Sequence, residues 1–263
     1  MALRIASWNV NSLRQRLDHL ARFNREIDPH VVCLQETKVV DALFPQEELQ
    51  AMGFAHLLFH GQKSYNGVAI LSKLPFAAQA KKVWCDKDDR RHLSVTLADN
   101  LQIHNFYVPS GGPLPDPEKN DKFAHKLAFL AEMKAWAGAE ARNQKLLMVG
   151  DFNVAPLEKD VWNHKKLLRS VGHTPEESAR IAAIQTAGGL TDIGRHFVPE
   201  DQPLYSWWGY RYAQSVEKNY GWRLDHAWAS QSLLPQVANY RTFKDSRLWE
   251  KPSDHVPIVI DLA

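Results

Sequence analysis

The chain has 263 residues, 44% of them hydrophobic, and a formal net charge of +2. That length can bury a large core, and the charge balance excludes a polycationic, purely electrostatic nucleic-acid binder, so any anion binding must be local. No stretch nears the ~18 apolar residues of a membrane span and the N-terminal MALRIASWNVNSLRQRL is unlike a signal peptide, so a cytoplasmic protein that leaves membranes alone is expected.

In chain order, LRIASW (3–8) reads as a strand and Ser12 to Ile27 as a helix that Ser12 is placed to cap. HVVCLQE (30–36) is a second strand, Pro45 to Met52 a short helix, and AHLLFH (55–60) with NGVAILS (66–72) an antiparallel hairpin. HLSVTLA (92–98) and LQIHNFYV (101–108) repeat the hairpin pattern. The loop SGGPLPDPEKND (110–121) leads into a helix read over Asp116 to Glu140, followed by the strand KLLMVG (145–150). Pro175 to Ala187 forms a helix, with Pro175 in its first turn after Thr174 and Glu176 and Glu177 at the positive end of its dipole. After a polar, aromatic stretch from Val198 to Trp222 come the strands RLDHAWAS (223–230) and VPIVIDL (256–262). The alternation is too irregular for a barrel and predicts an α/β protein of mixed sheets covered by helices. The motifs described next come from both sides of both long loops, so residues 1–263 are read as one domain. Cys33 and Cys85 are too few for a disulfide framework and are expected to be free thiols.

Polar side chains recur where these strands end. Asp151 and Asn153 follow KLLMVG, Asn9 and Asn11 end the first strand, Glu36 the second, and Tyr107 the strand before the glycine–proline loop. Asp225 lies on a later strand, and Asp254 and His255 precede the last. Asp and Asn are also ordinary turn residues, but six such placements point to oxygen donors gathered for a hard divalent cation. Mg²⁺ takes six oxygens at about 2.0–2.1 Å, with water and substrate phosphate completing the shell. There is no C-x-x-C or H-E-x-x-H for zinc, and no P-loop or GxGxxG for a nucleotide cofactor. Metal-assisted phosphodiester hydrolysis fits this set best.

SWNVNSLR, LQETK, YVPSG, GDFNVAP, GWRLDHA and SDHVP, in that order over Ser7 to Pro257, resemble the exonuclease III type of apurinic/apyrimidinic endonuclease in the endonuclease/exonuclease/phosphatase superfamily. The resemblance implies a deoxyribonuclease I-like, four-layered α/β sandwich of two mixed β-sheets flanked by helices, with the active site at one edge. It implies Mg²⁺, replaceable by Mn²⁺, held principally by Glu36 with Asn9 nearby and with Asp254 behind the ligands or at an alternative metal position, while Asn11 stands where some relatives carry an aspartate. It implies that Asp151 activates the attacking water with Asn153 fixing the geometry, and that His255, paired with Asp225, meets a non-bridging phosphate oxygen. Tyr107 would hold the phosphate or stabilise the leaving 3′-oxygen, and Lys38 would counter the local negative charge.

The same resemblance implies a substrate. Trp207, Trp222 and Leu224 match the wall of a pocket for a flipped-out deoxyribose that has lost its base; Arg211, one of the scattered basic residues, is a candidate DNA contact on its charge. Nine tryptophans in the chain leave core packing as the other reading of these aromatics. The basic residues are scattered, among them Arg14, Arg16, Lys63, Arg90, Arg91, Lys165, Lys166, Arg169, Arg241 and Lys244, which suits sequence-independent phosphate contacts. Where some relatives follow the YVP turn with a basic side chain that enters the DNA, this sequence has GGPLP. The expected activity is Mg²⁺-dependent cleavage 5′ to abasic sites in duplex DNA, leaving a 3′-hydroxyl, with 3′→5′ exonuclease and 3′-end cleaning, by a monomer. A phosphoesterase of the same fold acting on inositol phosphates or lipid headgroups, and a non-catalytic DNA-binding module, stay open at this point.

Overall fold

The computed structural model describes residues 3–142, 144–210 and 214–263. In chain order its elements are β1 (Leu3–Asn9), α1 (Leu17–Ile27), β2 (Val31–Gln35), α2 (Gln46–Ala51), β3 (His56–His60), β4 (Val68–Ser72), β5 (Ala78–Lys81), β6 (His92–Thr96) and β7 (Gln102–Tyr107). There follow α3 (Asp121–Trp136), β8 (Leu146–Asp151), α4 (His164–Leu167), α5 (Pro175–Gly188), β9 (Leu190–Asp192), α6 (Ile193–Phe197), β10 (Asp225–Ser230), β11 (Val237–Thr242) and β12 (Ile258–Leu262). They build two six-stranded mixed sheets, ordered β11-β12-β1-β2-β4-β3 and β5-β6-β7-β8-β10-β9. β1–β2 and β7–β8 are parallel, and both expected hairpins, β3–β4 and β6–β7, are antiparallel.

Three packed cores stack these parts into four layers. Between the sheets, Ile5, Val31, Cys33 and Ile70 face Val95, Ile103, Leu147 and Val149. The outward side chains of the first sheet, Trp8, Val32, Leu34 and Leu71, pack on Leu20 and Phe23 of α1 and Leu49 of α2. Those of the second, Phe106, Met148 and Trp228, pack on Phe129, Leu130 and Met133 of α3 and Ile181 and Ile184 of α5. Each such side chain contributes about 1.5–3 kcal/mol when fully buried, so strands sandwiched on both faces read as unbroken apolar runs.

Two local expectations change. Ser12 makes no capping bond and has φ 92°; a 3₁₀ turn over Leu13–Gln15 intervenes, and α1 starts at Leu17. The Ser12 amide instead donates to the Glu36 carbonyl at 2.8 Å, tying the first turn to the second strand's end. The helix read from Asp116 starts at Asp121, because the Asn120 side chain accepts from the Lys122 amide and closes the N-terminus there. Pro175 opens α5 as anticipated, and Thr174 before it forms a reciprocal capping box with Glu177. Both cysteines are free. Among the described residues, no helix is long and apolar enough to cross a membrane.

Candidate active site

Strand register assembles the site. Tyr107 pairs with Asp151 across the parallel β7–β8 ladder, and Asp151 pairs with Asp225 across β8–β10, so three candidate site residues stand in one row. Asn9 ends β1 in the facing sheet, beside Gln35 of β2. Its amide Nδ2 donates to Glu36 Oε1 at 3.0 Å and to Asp151 Oδ2 at 2.9 Å, joining the two sheets at their common edge.

Glu36 follows β2 with φ 54°, a left-handed turn that aims its carboxylate across the sandwich. Oε1 also accepts from the Tyr107 hydroxyl at 2.9 Å, and Oε2 lies 2.7 Å from Lys38 Nζ. Burial would raise the Glu36 carboxyl, but Lys38 and Asn9 outweigh it and hold it below the usual carboxylate range. Burial, with the Glu36 and Asp151 charges, pushes the Tyr107 phenol well up, so it stays a hydrogen-bond donor. Lys38 Nζ donates to Asn11 Oδ1 at 2.5 Å, and Asn11 Nδ2 donates to Asp254 Oδ1 at 3.0 Å. Asn11 thus links Glu36's cation to Asp254.

Asp151 is buried. Oδ1 accepts the Asn153 amide at 2.9 Å, and Oδ2 lies 3.7 Å from His255 Nε2. Burial, reinforced by Asp225 and Glu36, raises its carboxyl to about 7 against the opposing pull of His255. His255 Nδ1 lies 2.8 Å from Asp225 Oδ2. Burial opposes its charge, but Asp225 and Asp151 prevail and raise the imidazole to about 10, so the ring is a cation between two carboxylates. Asn153 sits at φ 52° and anchors its Nδ2 on the Val108 carbonyl at 2.9 Å.

Beside these groups opens a cavity of about 740 Å³ whose lining includes Asn153, Gly172, Trp207, Trp222 and Leu224. The Trp207 and Trp222 rings meet edge to face at 6.2 Å, and Trp207 Nε1 donates to Asp254 Oδ2 at 3.0 Å. The wall is therefore wired to the acidic site. Arg211 lies outside the described residues. Several basic residues are already engaged by the fold: Arg16 bonds the Asn11 and Pro252 carbonyls, Arg91 pairs with Asp89, and Arg241 with Asp261.

The donor set is oxygen-rich and sulfur-free, as a hard divalent cation requires. Among the described residues, Asp151, Asp225 and His255 bring ligand atoms within 4.8 Å of one another, and Asp225 Oδ1 is buried without a hydrogen-bond partner. Asn9 ties Glu36 to this cluster, Asp254 immediately precedes His255 and is bonded to Asn11, and Glu36 keeps a partly exposed carboxylate.

Sequence reasoning missed the groups that hold these residues. Gln35 Nε2 donates to Asn105 Oδ1 at 2.6 Å across the sandwich beneath the site. Ser206 Oγ accepts from the Leu224 and Asp225 amides, at 3.1 and 3.0 Å. Arg223, between Trp222 and Leu224, is buried and bridges Asp160 and Asp192 at 2.8 Å each. The Gln in LQETK and the Arg in GWRLD lay inside quoted motifs; their partners are distant in sequence and carried no signal.

The pattern of the Endonuclease/Exonuclease/phosphatase family matches residues 6–255. The chain is 32% identical to exodeoxyribonuclease III of Haemophilus influenzae, over 97% of this chain and 98% of that one. Among solved structures, an AP endonuclease from Archaeoglobus fulgidus superposes with a TM-score of 0.91 at 30% identity, covering 99% of both chains. A 3′-5′ exonuclease from Neisseria meningitidis superposes with a TM-score of 0.91 at 31% identity, again covering 99% of both. The two-sheet architecture is the deoxyribonuclease I-like fold, and the chain belongs to the endonuclease/exonuclease/phosphatase family, in its exonuclease III type, and is a phosphodiester hydrolase.

Proposed function

We propose that residues 1–263 form one catalytic domain that acts as a DNA repair nuclease, cutting the phosphodiester 5′ to an abasic site in duplex DNA to leave a 3′-hydroxyl. Removal of 3′ nucleotides and 3′ blocking groups by the same centre is in keeping with relatives named exodeoxyribonuclease III and 3′-5′ exonuclease. The observation that carries the reading is the row Tyr107–Asp151–Asp225 across three adjacent strands, bridged by Asn9 to Glu36 in the other sheet.

In this reading Asp151 takes the proton of the attacking water. Its carboxyl, raised to about 7, is matched to neutral pH, where a general base is most effective. Asn153, fixed to Asp151 and to the Val108 carbonyl, orients that water. The imidazolium of His255, held by Asp225, places positive charge where the pentavalent phosphorus gathers negative charge. Tyr107 remains a phenol and donates toward the phosphate or the leaving 3′-oxygen. Glu36, with Asn9 and Asp254, would hold Mg²⁺, for which Mn²⁺ would substitute, and the ion when bound would neutralise phosphate charge. Lys38 balances the charge of Glu36. Trp207, Trp222 and Leu224 form an apolar wall that accepts a baseless sugar and rejects a nucleotide bearing its base, and an abasic nucleotide is the least costly to extrude.

A substrate panel tests the class. With Mg²⁺, an abasic duplex should be cut while inositol phosphates and sphingomyelin are left intact. Turnover of either small phosphoester in place of the duplex would replace the DNA reading with the phosphoesterase one.

A further inference from the structure

Behind the cavity lies an ion pair to which the chemistry assigns no role. Lys126, midway along α3, and Glu177, in the first turn of α5, are both completely buried. Lys126 Nζ is 2.5 Å from Glu177 Oε1 and donates to the Asn153 carbonyl at 2.7 Å and the Ser110 carbonyl at 3.3 Å. These three contacts use all three ammonium protons. Glu177 in turn accepts the Gly172 amide on both oxygens, each at 2.9 Å, and the Thr174 hydroxyl at 2.7 Å.

Joining two helices does not require this arrangement. Around it, α3 and α5 already meet through Phe129, Leu130, Met133, Ile181 and Ile184. Desolvating two charges offsets their attraction, and a well-packed apolar pair of similar volume stabilises as well or better. What an apolar pair cannot do is bond main-chain groups. The three groups gripped here, in Ser110, Asn153 and Gly172, belong to three separate turns, and all three residues line the 740 Å³ cavity. Two of the turns hold left-handed backbone at the gripped residue, φ 52° at Asn153 and φ 92° at Gly172. Glycine adopts its conformation freely, whereas Asn153 holds one that persists where the surroundings over-determine it. The lysine stem also fits closely: a Cβ at Gly111 would come within 2.9 Å of Lys126 Cδ.

We propose that Lys126 and Glu177 are positioning residues: buried behind the cavity, they set the spacing of its three lining turns through the main chain and thereby aim Asn153 at the attacking water. This rests on reading the cavity as the nuclease site. Neither side chain touches substrate.

The test is the variant Lys126→Met/Glu177→Gln. Methionine replaces the lysine stem, glutamine keeps an oxygen for the Gly172 amide, and no charge is left unpaired. Hydrogen exchange should quicken about tenfold or more in segments 108–113, 151–156 and 170–174 and stay unchanged in 146–150, with the melting temperature held within a few degrees. On abasic duplex, kcat should fall roughly ten- to a hundredfold with KM within about threefold, the signature of misplaced catalytic groups. In an Asn153→Ala background the same pair of substitutions should lower kcat by no more than about threefold, because the effect runs through Asn153. A folded variant with unchanged exchange in the three segments, or with faster exchange and wild-type kcat, overturns the proposal. Should the wild type fail to cut abasic DNA, the nuclease reading falls, while the exchange experiment still decides the clamp. Lys126→Leu/Glu177→Gln, which likewise leaves no charge unpaired, measured in the same way, serves if the methionine variant does not fold.

Discussion

Arg223→Met strikes the joint between the acidic site and the aromatic wall. The guanidinium is buried, donates to both oxygens of Asp160 at 2.8 and 3.0 Å, and reaches Asp192 at 2.8 Å, while its own amide bonds the Asp160 carbonyl at 2.7 Å. Methionine keeps the apolar stem and removes the charge, leaving Asp160 with Arg195 alone. Breaking a buried pair from one side costs about 3–5 kcal/mol, and the remaining Arg195 places this case near 3. At about 2.1 cal/mol/K per residue, 263 residues unfold with an entropy of about 0.55 kcal/mol/K, so the melting temperature should drop by about 5 °C. Thermal denaturation followed by circular dichroism reads this directly. Because Trp222 and Leu224 flank the residue, KM for an abasic duplex should rise together with the loss of stability. A melting temperature within about 1 °C of wild type would refute the reasoning, since it would mean that Asp160 and Asp192 need no counter-charge.

Asp151→Asn should lower single-turnover cleavage by about a thousandfold or more while binding of abasic duplex stays within a few-fold, and near-normal turnover would remove Asp151 as the base. Tyr107→Phe deletes one hydroxyl donor with little change in packing, and kcat should fall about ten- to a hundredfold; an unchanged kcat would show that the phenol only steadies Glu36. His104 is buried and its imidazole is pushed from 6.5 down to about 3, so between those values the unfolded chain takes up a proton that the folded chain does not. Its share of stability is intact above pH 6.5 and is lost as pH falls through that window, at about 1.4 kcal/mol per pH unit. Denaturant titrations of His104→Gln should therefore show a shallower decline of stability between pH 6 and 4 than the wild type, and parallel profiles would contradict the assignment.

Central strands were legible because burial on both faces writes itself as an apolar run, as in Val31–Gln35 and Val68–Ser72, every residue of which is buried. β5, β9 and β11 were not, and all three are sheet edges. Ala78–Lys81 is exposed at every residue, so no periodicity marks it, and its partner β6 alone makes it a strand. The site residues stood out because each ends or adjoins a strand in a distinctive motif, and register then brings Tyr107, Asp151 and Asp225 into one row. Their supports were hidden for the opposite reason. Lys126 looks like one more helical lysine and Glu177 like an ordinary capping-box residue, and only the packing of α3 on α5 reveals that they share one buried charge pair. Arg16 and Arg91, counted among the scattered cations suited to phosphate contacts, are turned inward by partners that sequence alone does not pair with them.

The central claim is tested most directly by cleavage of a labelled duplex carrying one tetrahydrofuran abasic analogue, with Mg²⁺ and then with EDTA. One Mg²⁺-dependent cut immediately 5′ to the lesion, leaving a 3′-hydroxyl that a polymerase extends, is the predicted result. An intact duplex with every divalent metal tried, or the same cut in EDTA, would contradict it.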